Sequence, residues 1–436
     1  MANHSRATRH SIILFSLLLG IQVSHADDWP QWRGPRRDAT WHEDEIIDRF
    51  PSDSLDIAWR QPIGSGYSGP TVADGRVFVT DRLVEPKQVE RVHCFDWRSG
   101  KKIWSHTYDC RYENVSYQSG PRAAVTIDDS RAYSLGTMGH LFCFDAGTGQ
   151  ILWKQDLLSE YDIRMPIWGI AAAPLVYKQL VILQIGGSNG ACVIALNKKD
   201  GDLRWKALED RASYSAPIVI QQAGHDVIVV WTGDSVTGLN PGDGSSMWRF
   251  DFPPNQMVIG TTTPVVDRDR LVVSSFYDGT LMLKLAANRL AVEKMWLRRG
   301  ASERETDALH SMISTPILSG DELYGVDSYG ELRCLDAATG DRIWEDQTAT
   351  PRSRWSTIHM VRNGHQVWML NERGQLIIAK LSRAGFHELS RAQLIQPTLE
   401  QLRQRNGVCW AHPAFAYRHV FARNDEELVC ASLEAD

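Results

Sequence analysis

A repeat of about 47 residues, marked by tryptophan, is the feature that most restricts what this chain can fold into. In five segments an Asp or Asn is followed four residues later by Gly and four residues after that by Trp. They are Asp96–Gly100–Trp104, Asp145–Gly149–Trp153, Asn197–Gly201–Trp205, Asn240–Gly244–Trp248 and Asp336–Gly340–Trp344. The Asp or Asn side chain can bond turn amides and the Gly can accept a positive φ angle. Each segment therefore predicts a hairpin whose second strand delivers a Trp.

Two degenerate copies and one isolated Trp extend the series. The stretch from Ala286 to Trp296 is two residues longer and has no Gly, and another copy has Leu389 in place of Trp. Trp59 lies before the first complete copy. The intervals from Trp59 onward are 45, 49, 52, 43, 48, 48 and 45 residues, which is the regularity of a repeat architecture.

Each repeat also contains two earlier strands and a further turn. The first strand often begins with a small residue and Pro, as in Ala173-Pro174, and an alternating strand such as Glu322-Leu323-Tyr324 follows. Four short strands per repeat, with a turn signal every 8–12 residues, predict an all-β closed fold. A four-stranded unit of this length is typical of a propeller blade.

The two ends of the chain set the number of blades. Seven full repeats run from about Tyr67 to Gln396, three more strands cover residues 408–433, and residues 55–62 carry Trp59 on a strand without a blade. We therefore predict an eight-bladed β-propeller of four-stranded antiparallel blades, with the last blade closed by the N-terminal strand. Seven blades is the alternative, with the C-terminal segment packed outside the ring.

The N-terminus indicates export. Arg6 and Arg9 precede an apolar stretch of 13 residues, Ser11 to Val23, that is too short to span a bilayer. Small residues at Ser24 and Ala26 mark a cleavage site. We expect a signal peptide over residues 1–26, an extended leader over 27–54 and the propeller over 55–436, with an uncleaved membrane anchor as the alternative. No cysteine adjoins the cleavage site, so the sequence has no lipobox.

The charge balance excludes one class of partner. The formal net charge is −6 for the full chain, and loss of the two arginines of the signal peptide makes it −8, with both signs interspersed. Such a chain lacks the basic patch that nucleic-acid binding requires. We expect a soluble monomer in the periplasm or outside the cell, with no nucleic-acid partner and no membrane insertion after cleavage.

The seven cysteines do not form a metal or redox motif, because no C-x-x-C spacing occurs. Cys94, Cys143 and Cys334 occupy one equivalent position before the turn Asp, where a small buried side chain is expected. Cys110 and Cys409 fall outside that register and are the better candidates for a disulfide.

Seven tryptophans at the end of the fourth strands are expected to be structural. Each would fill the wedge between its own blade and the next, because a Trp buries roughly 150–250 Å². They are Trp59, Trp104, Trp153, Trp205, Trp248, Trp296 and Trp344.

Two glycine-rich motifs are expected to be loops rather than catalytic or nucleotide sites. The G-x-G-x-x-G stretch from Gly64 to Gly69 precedes a strand instead of a helix, and a dinucleotide site needs the helix. The G-x-S-x-G stretch from Gly186 to Gly190 joins two strands, whereas a nucleophile elbow precedes a helix.

A ligand would bind where the loops before each innermost strand surround one mouth of the channel, since loops on a rigid scaffold usually carry function. Aromatic residues and Arg are enriched at such binding surfaces. The candidate residues are Tyr67, Tyr117, Arg122, Trp168, Tyr214, His310, Arg354, Trp355, Trp410 and His412. Some of them can instead be core or channel-filling residues.

The repeats resemble the PQQ-like β-propeller repeats of the quinoprotein alcohol dehydrogenase-like superfamily. The matching stretches run from Cys143 to Trp153 and from Cys334 to Trp344, and the segments Trp29–Pro35 and Gly120–Ala124 are similar to an exported bacterial branch. In the dehydrogenases, the resemblance implies PQQ over the channel, a calcium ion, a disulfide between adjacent cysteines and a catalytic Asp. This sequence has no adjacent cysteines and no haem motif, and no position matches a calcium-ligand set.

The resemblance therefore implies two functions. The first is a non-catalytic exported scaffold, similar to the periplasmic propeller of the outer-membrane β-barrel assembly machinery, that binds an envelope protein or peptide, or a glycan, without a cofactor. The alternative is a PQQ-dependent quinoprotein oxidoreductase that uses calcium. For the first function the sequence assigns no catalytic, cofactor-binding or metal-binding residue.

Overall fold

The computed structural model describes Met1 and residues 27–435, so the expected signal peptide beyond Met1 lies outside the described residues. In this part of the chain, 32 strands form eight four-stranded sheets. One short helix, α1 (Leu157–Tyr161), interrupts them. None of the described helices has the length and apolar character needed to cross a bilayer.

The strands follow the chain, and blades are numbered 1 to 8 from the N-terminus. The first strand, β1 (Ile57–Pro62), belongs to blade 8. Blade 1 consists of β2 (Thr71–Ala73), β3 (Arg76–Leu83), β4 (Val89–Asp96) and β5 (Lys102–Asp109), and blade 2 of β6 (Thr126–Asp128), β7 (Arg131–Leu135), β8 (His140–Asp145) and β9 (Ile151–Asp156). Blade 3 consists of β10 (Leu175–Tyr177), β11 (Leu180–Gly187), β12 (Ala191–Asn197) and β13 (Leu203–Ala207), and blade 4 of β14 (Ile218–Gln222), β15 (His225–Trp231), β16 (Ser235–Leu239) and β17 (Ser246–Asp251).

Blade 5 consists of β18 (Val265–Asp267), β19 (Arg270–Ser275), β20 (Gly279–Leu285) and β21 (Val292–Arg298), and blade 6 of β22 (Ile317–Ser319), β23 (Glu322–Val326), β24 (Leu332–Asp336) and β25 (Arg342–Asp346). Blade 7 consists of β26 (Ile358–Asn363), β27 (Gln366–Asn371), β28 (Gln375–Ser382) and β29 (Gly385–Gln393). Blade 8 consists of β30 (Ala414–Ala416), β31 (His419–Arg423) and β32 (Glu427–Ser432), completed by β1.

The eighth blade is built from both ends of the chain. Strand β1 pairs antiparallel with β32, so Trp59 faces Cys430 and Arg60 faces Val429. The order β1-β32-β31-β30 confirms the predicted closure by the N-terminal strand, and the alternative of seven blades is wrong. The first strands of neighbouring blades contact one another, as β2 does with β6 and β30, which places them around the central channel.

The turns between third and fourth strands adopt the geometry that the sequence predicts. In blade 1, Asp96 Oδ1 accepts a hydrogen bond from Ser99 N at 2.8 Å. Gly100 has φ of +67° and its amide donates to Asp96 O at 2.9 Å. The same bond, from Thr148 N to Asp145 Oδ1 at 2.8 Å, recurs in blade 2.

The repeated tryptophans connect each blade to the next. The indole of Trp104 lies over Gly149, where a Cβ atom would be 2.6 Å from the ring. Its Nε1 donates to Ala146 O, the carbonyl that follows the turn Asp of blade 2. Equivalent bonds to the following blade are made by Trp59, Trp153, Trp205, Trp296 and Trp344. The tryptophan and the glycine of the repeat are thus two halves of one interface between blades.

Trp248 departs from this arrangement. Its Nε1 donates to Gln222 Oε1 of its own blade at 2.8 Å, and Gly238 makes room for its ring. The next blade carries the degenerate copy that lacks the turn Gly, so it does not offer the usual seat for the ring.

The cysteines pack as small buried side chains and all seven are free thiols. Cys94, Cys143 and Cys334 each lie opposite the Trp of their own blade, and Cys430 occupies the same position opposite Trp59. The expected disulfide candidates, Cys110 and Cys409, are buried in different core clusters, and both are free thiols.

Candidate ligand-binding cavity

A cavity of about 150 Å³ lies at the mouth of the central channel, where the loops before the inner strands converge. All eight blades contribute to its wall. Eight of the ten residues that the sequence predicts for a ligand funnel line it, namely Tyr67, Tyr117, Arg122, Trp168, Tyr214, Trp355, Trp410 and His412.

The other two predicted residues lie outside the lining. His310 is buried under the loop of blade 6, where Gly300 N donates to its Nε2 and its Nδ1 bonds Phe276 O, both at 3.0 Å. It therefore holds the loop and does not face the cavity. Arg354 forms an ion pair with Glu303 at 2.7 Å, and its guanidinium stacks 4.3 Å from the centre of the Trp355 ring. It acts on the cavity only through that ring.

The cavity also contains residues that the sequence did not single out. Most are small or aliphatic and come from the same loops or the strand that follows, where nothing in the sequence marks them. They are Trp32, Ala124, Ala171, Ala173, Ala216, Thr261, Met312, Ile313 and His359. Trp32 belongs to the leader. One feature of the sequence pointed to its burial, because a tryptophan in a segment outside the repeats has to pack against the rest of the protein.

The leader crosses the channel and closes it below the cavity. Trp29 N donates to Val72 O of β2 at 2.7 Å, and Trp41 N donates to Arg362 O of β26 at 2.7 Å. The Arg37 guanidinium donates to Pro217 O at 2.9 Å and also to Pro174 O, the residues immediately before the inner strands of blades 4 and 3. Burial lowers the pKa of Arg37 to about 9, so it remains charged at neutral pH.

Trp32 forms the floor of the cavity. Its Nε1 donates a 2.6 Å hydrogen bond to Thr263 Oγ1 of blade 5. Its ring meets the His412 imidazole edge-on, with centroids 4.5 Å apart, and the His359 imidazole at 6.5 Å. The channel is therefore a blind cup that opens at the mouth and ends at the leader.

Tyr117 stands at the centre of the aromatic wall. Its ring contacts those of Trp168, Trp355 and Trp410, with centroid distances of 6.2, 5.8 and 6.4 Å. These three tryptophans come from blades 3, 7 and 8, so Tyr117 reaches across the mouth. Tyr117 and Trp355 have φ angles of +55° and +66°, a left-handed conformation that is costly for a bulky side chain.

Arg122 is the single charged side chain of the lining within residues 27–435. It donates to Ser116 O at 2.9 Å, to Tyr117 O and to Gly120 O at 2.7 Å, which fixes the loop that carries Tyr117. The guanidinium also lies 5.0 Å from the centre of the Tyr67 ring. No carboxylate of the described chain forms an ion pair with it.

The two histidines at the floor are neutral. Burial lowers the pKa of His359 to about 4 and that of His412 to about 3, and Arg33 adds a smaller effect in the same direction. His359 Nε2 donates to Trp410 O at 2.8 Å. Burial likewise raises the pKa of Tyr214 to about 12. The lining therefore has no group that titrates near neutral pH.

The fold, with four strands in each of eight blades and its channel closed by the leader, defines a β-propeller of the PQQ-like class. The family described as "Outer membrane protein assembly factor BamB" matches residues 88–346, which is more than half of the chain. The chain belongs to this family.

Individual relatives agree with that assignment. BamB of Shewanella oneidensis is 24% identical over 260 residues, which cover 59% of this chain and 62% of that protein. The crystal structure of BamB from Moraxella catarrhalis matches with a TM-score of 0.60, 16% identity and coverage of 88% of this chain and 98% of that one. Quinohemoprotein alcohol dehydrogenase from Comamonas testosteroni matches with a TM-score of 0.65, 14% identity and coverage of 94% and 81%. At these identities the structural matches show the shared fold alone.

The residues of the cavity do not fit the calcium and PQQ that the dehydrogenases of this fold use. PQQ is a three-ring tricarboxylate, whereas a cavity of about 150 Å³ has the size that holds a single benzene ring. Calcium takes 6–8 oxygen ligands, largely from carboxylates, and no Asp or Glu between residues 27 and 435 lines the cavity. The described part of the chain also holds no cluster of three His, Cys, Asp or Glu arranged for a metal.

Proposed function

We propose that this protein is an exported, non-catalytic scaffold of the bacterial cell envelope that binds a protein or peptide partner at the channel mouth. A glycan is the alternative ligand. The observation that carries the proposal is the cavity itself, since aromatic rings contributed by separate blades surround a space with no carboxylate in its lining. Such a site can bind, but it has no acid or base with which to catalyse.

The backbone of the mouth supports a binding role. Tyr117 and Trp355 are held in the left-handed region at φ of +55° and +66°, and strained residues of this kind concentrate at functional sites. The two rings lie in contact in the aromatic wall, with centroids 5.8 Å apart.

The family supports the same proposal. Its relatives are named for outer-membrane protein assembly, so a partner from that assembly or one of its clients is the first candidate. We also propose that the protein acts in the periplasm or outside the cell, as a monomer and without a cofactor. Light scattering of the purified protein should give the mass of one chain, and the mass of a dimer would contradict the monomer.

A PQQ-dependent oxidoreductase is the second candidate, favoured only by the shared fold with the Comamonas dehydrogenase. It is tested directly by adding PQQ and calcium to the purified protein and following dye reduction with primary alcohols. Turnover above that of free PQQ would replace the scaffold proposal.

Site-specific photocrosslinking tests the binding function. A benzoylphenylalanine at position 117 is compared with one at position 103, an exposed residue on the outer strand of blade 1. In intact envelopes we expect a discrete protein adduct from position 117 that is absent from position 103. Equal adducts from both positions, or none from position 117, would contradict binding at the mouth.

A further inference from the structure

We propose that the cavity receives one aromatic side chain from an acidic segment of the partner, a step that rests on the proposed binding function. The ring would insert between Tyr117 and the neighbouring tryptophans and reach toward Trp32. The inference depends on three properties of the cavity: its size, its lack of anionic groups and the positive charge around it.

The size fits one ring. A cavity of about 150 Å³ equals an engineered protein cavity that binds benzene. The same volume is too small for two sugar rings or for a helix. Aromatic residues that fill a pocket of this kind supply a large share of the affinity at protein interfaces.

The polarity of the lining disfavours a basic side chain or a sugar as the occupant. Ala171, Ala216 and Met312 contribute apolar surface between the aromatic rings, so a sugar would lose the water bound to its hydroxyls with few replacements. A Lys or Arg side chain would be buried beside Arg122 with no carboxylate in the lining. Edge-to-face contact with another aromatic ring is the interaction that this wall offers.

The charge around the cavity selects the neighbours of that ring. Burial is the main cause of the raised pKa of Tyr67 and Tyr214, and Arg122 opposes it in both. Arg354 is already neutralised by its 2.7 Å ion pair with Glu303. Arg122, whose guanidinium lies 5.0 Å from the centre of the Tyr67 ring, is therefore the positive charge at the cavity, and a carboxylate flanking the inserted ring would complement it.

Small molecules and peptides test the proposal. The probes are 4-methylphenol and toluene as ring analogues, n-butylammonium as a Lys analogue and the trimer of N-acetylglucosamine. Ligand-observed NMR and calorimetry with the full mature chain should show the ring analogues binding with Kd on the order of 1 mM, while the ammonium and the sugar do not bind. The blocked tripeptide Asp-Tyr-Glu should bind at least 5-fold more tightly than Lys-Tyr-Lys at low salt, and the difference should fall as salt is added.

Two substitutions locate the binding. Ala171→Phe fills the cavity and should weaken 4-methylphenol binding at least 10-fold. Ala301→Phe makes the same change at an exposed position on the loop that leads into blade 6 and should leave 4-methylphenol binding unchanged. Ala216→Leu is a second filling variant, and a retained melting temperature shows which variant has folded.

The outcomes separate this inference from the proposed function. A crosslinked partner at position 117 that 4-methylphenol fails to displace would overturn the aromatic anchor and leave the scaffold function standing. Ring analogues that bind without any crosslinked partner would support the cavity specificity and overturn the scaffold function. Binding of the sugar or of n-butylammonium in preference to the ring analogues would overturn the inference, as would equal binding by the Ala171→Phe variant.

Discussion

The indole of Trp104 lies on Gly149 of the next blade and donates from Nε1 to Ala146 O at 3.0 Å. One aromatic side chain thus supplies both the packing and the hydrogen bond between two blades. Position 149 requires Gly for two reasons. Its φ angle is +74°, and the Trp104 indole occupies the volume that a Cβ atom would need.

Gly149→Ala should therefore destabilise the protein by about 3 kcal/mol or more, through overpacking in addition to backbone strain. Gly224→Ala is the matched control, since Gly224 has φ of +80° and nothing within 4 Å of its added Cβ. It should lose only about 1–2 kcal/mol, the cost of the left-handed backbone. Urea denaturation measures both, and equal losses would show that the Trp104 contact is unimportant.

Trp104→Phe should lower the free energy of unfolding by about 1–2 kcal/mol, because the ring is kept largely in place while the bond to Ala146 O is lost. Trp97→Phe is the comparison. Trp97 is half-buried, and its indole donates no hydrogen bond within the described residues. The expected loss there is smaller, and a larger loss for Trp97→Phe would contradict the role given to the bond between blades.

Arg37→Met should loosen the leader, because three carbonyls at the end of the channel lose their donor. We expect the amides of Trp29 and Trp41 to exchange with deuterium at least 10-fold faster, which corresponds to about 1.4 kcal/mol. Arg36→Met is the control, since Arg36 is exposed and, among the described residues, bonds only Asp38 and His42. Exchange rates that respond equally to the two changes would argue against Arg37 as the closing group.

Stability should fall as the pH drops from about 6.5 toward 4. His359 and His412 have folded pKa values of about 4 and about 3, below the ordinary value of 6.5, because both are buried. The unfolded chain therefore binds more protons over this range, and the free energy of unfolding rises with pH. The variant His412→Gln should flatten the profile of melting temperature between pH 6.5 and 4 relative to the native protein. A profile of unchanged slope would show that His412 does not contribute.

The native protein should react slowly with thiol reagents. Burial raises the pKa of Cys94 and Cys334 to about 12, and a buried protonated thiol is unreactive. We expect a disulfide reagent to react with all seven cysteines in denaturant and with few of them in the native protein. Fewer than seven thiols in denaturant without reductant would reveal a disulfide that the structure does not contain.

The propeller could be predicted from the repeat because each repeat of about 47 residues forms one four-stranded blade. Each Asp–Gly–Trp segment specifies its own turn locally, and the identical contact of Trp59, Trp104 and their equivalents follows from stacking like units side by side. Trp248 shows the limit. The packing site of its indole depends on the next repeat, and that repeat lacks the turn Gly. The sequence of one repeat alone therefore does not specify the position of the indole.

At the channel mouth, the sequence predicted most of the lining residues that lie on the loops before the inner strands. It did not predict the residues whose position depends on contacts with other parts of the protein. Trp32 reaches the cavity because the leader crosses the channel, and no periodicity reports the path of a segment outside the repeat. His310 occupies the predicted loop, yet its backbone has φ of +49° and its ring turns to bond Phe276 O. The direction of a side chain on an irregular loop depends on such individual bonds.

The pairing of β1 with β32 has a consequence for biogenesis. Because synthesis starts at the N-terminus, Trp59 and its strand are made long before residues 427–432, which pair with that strand in the folded protein. The ring can complete only when the last strand arrives, so a truncated product keeps an open blade with apolar surface and unsatisfied backbone on both sides. A chain that stops short of this strand therefore keeps an open sheet edge, which is prone to pair with other chains and aggregate.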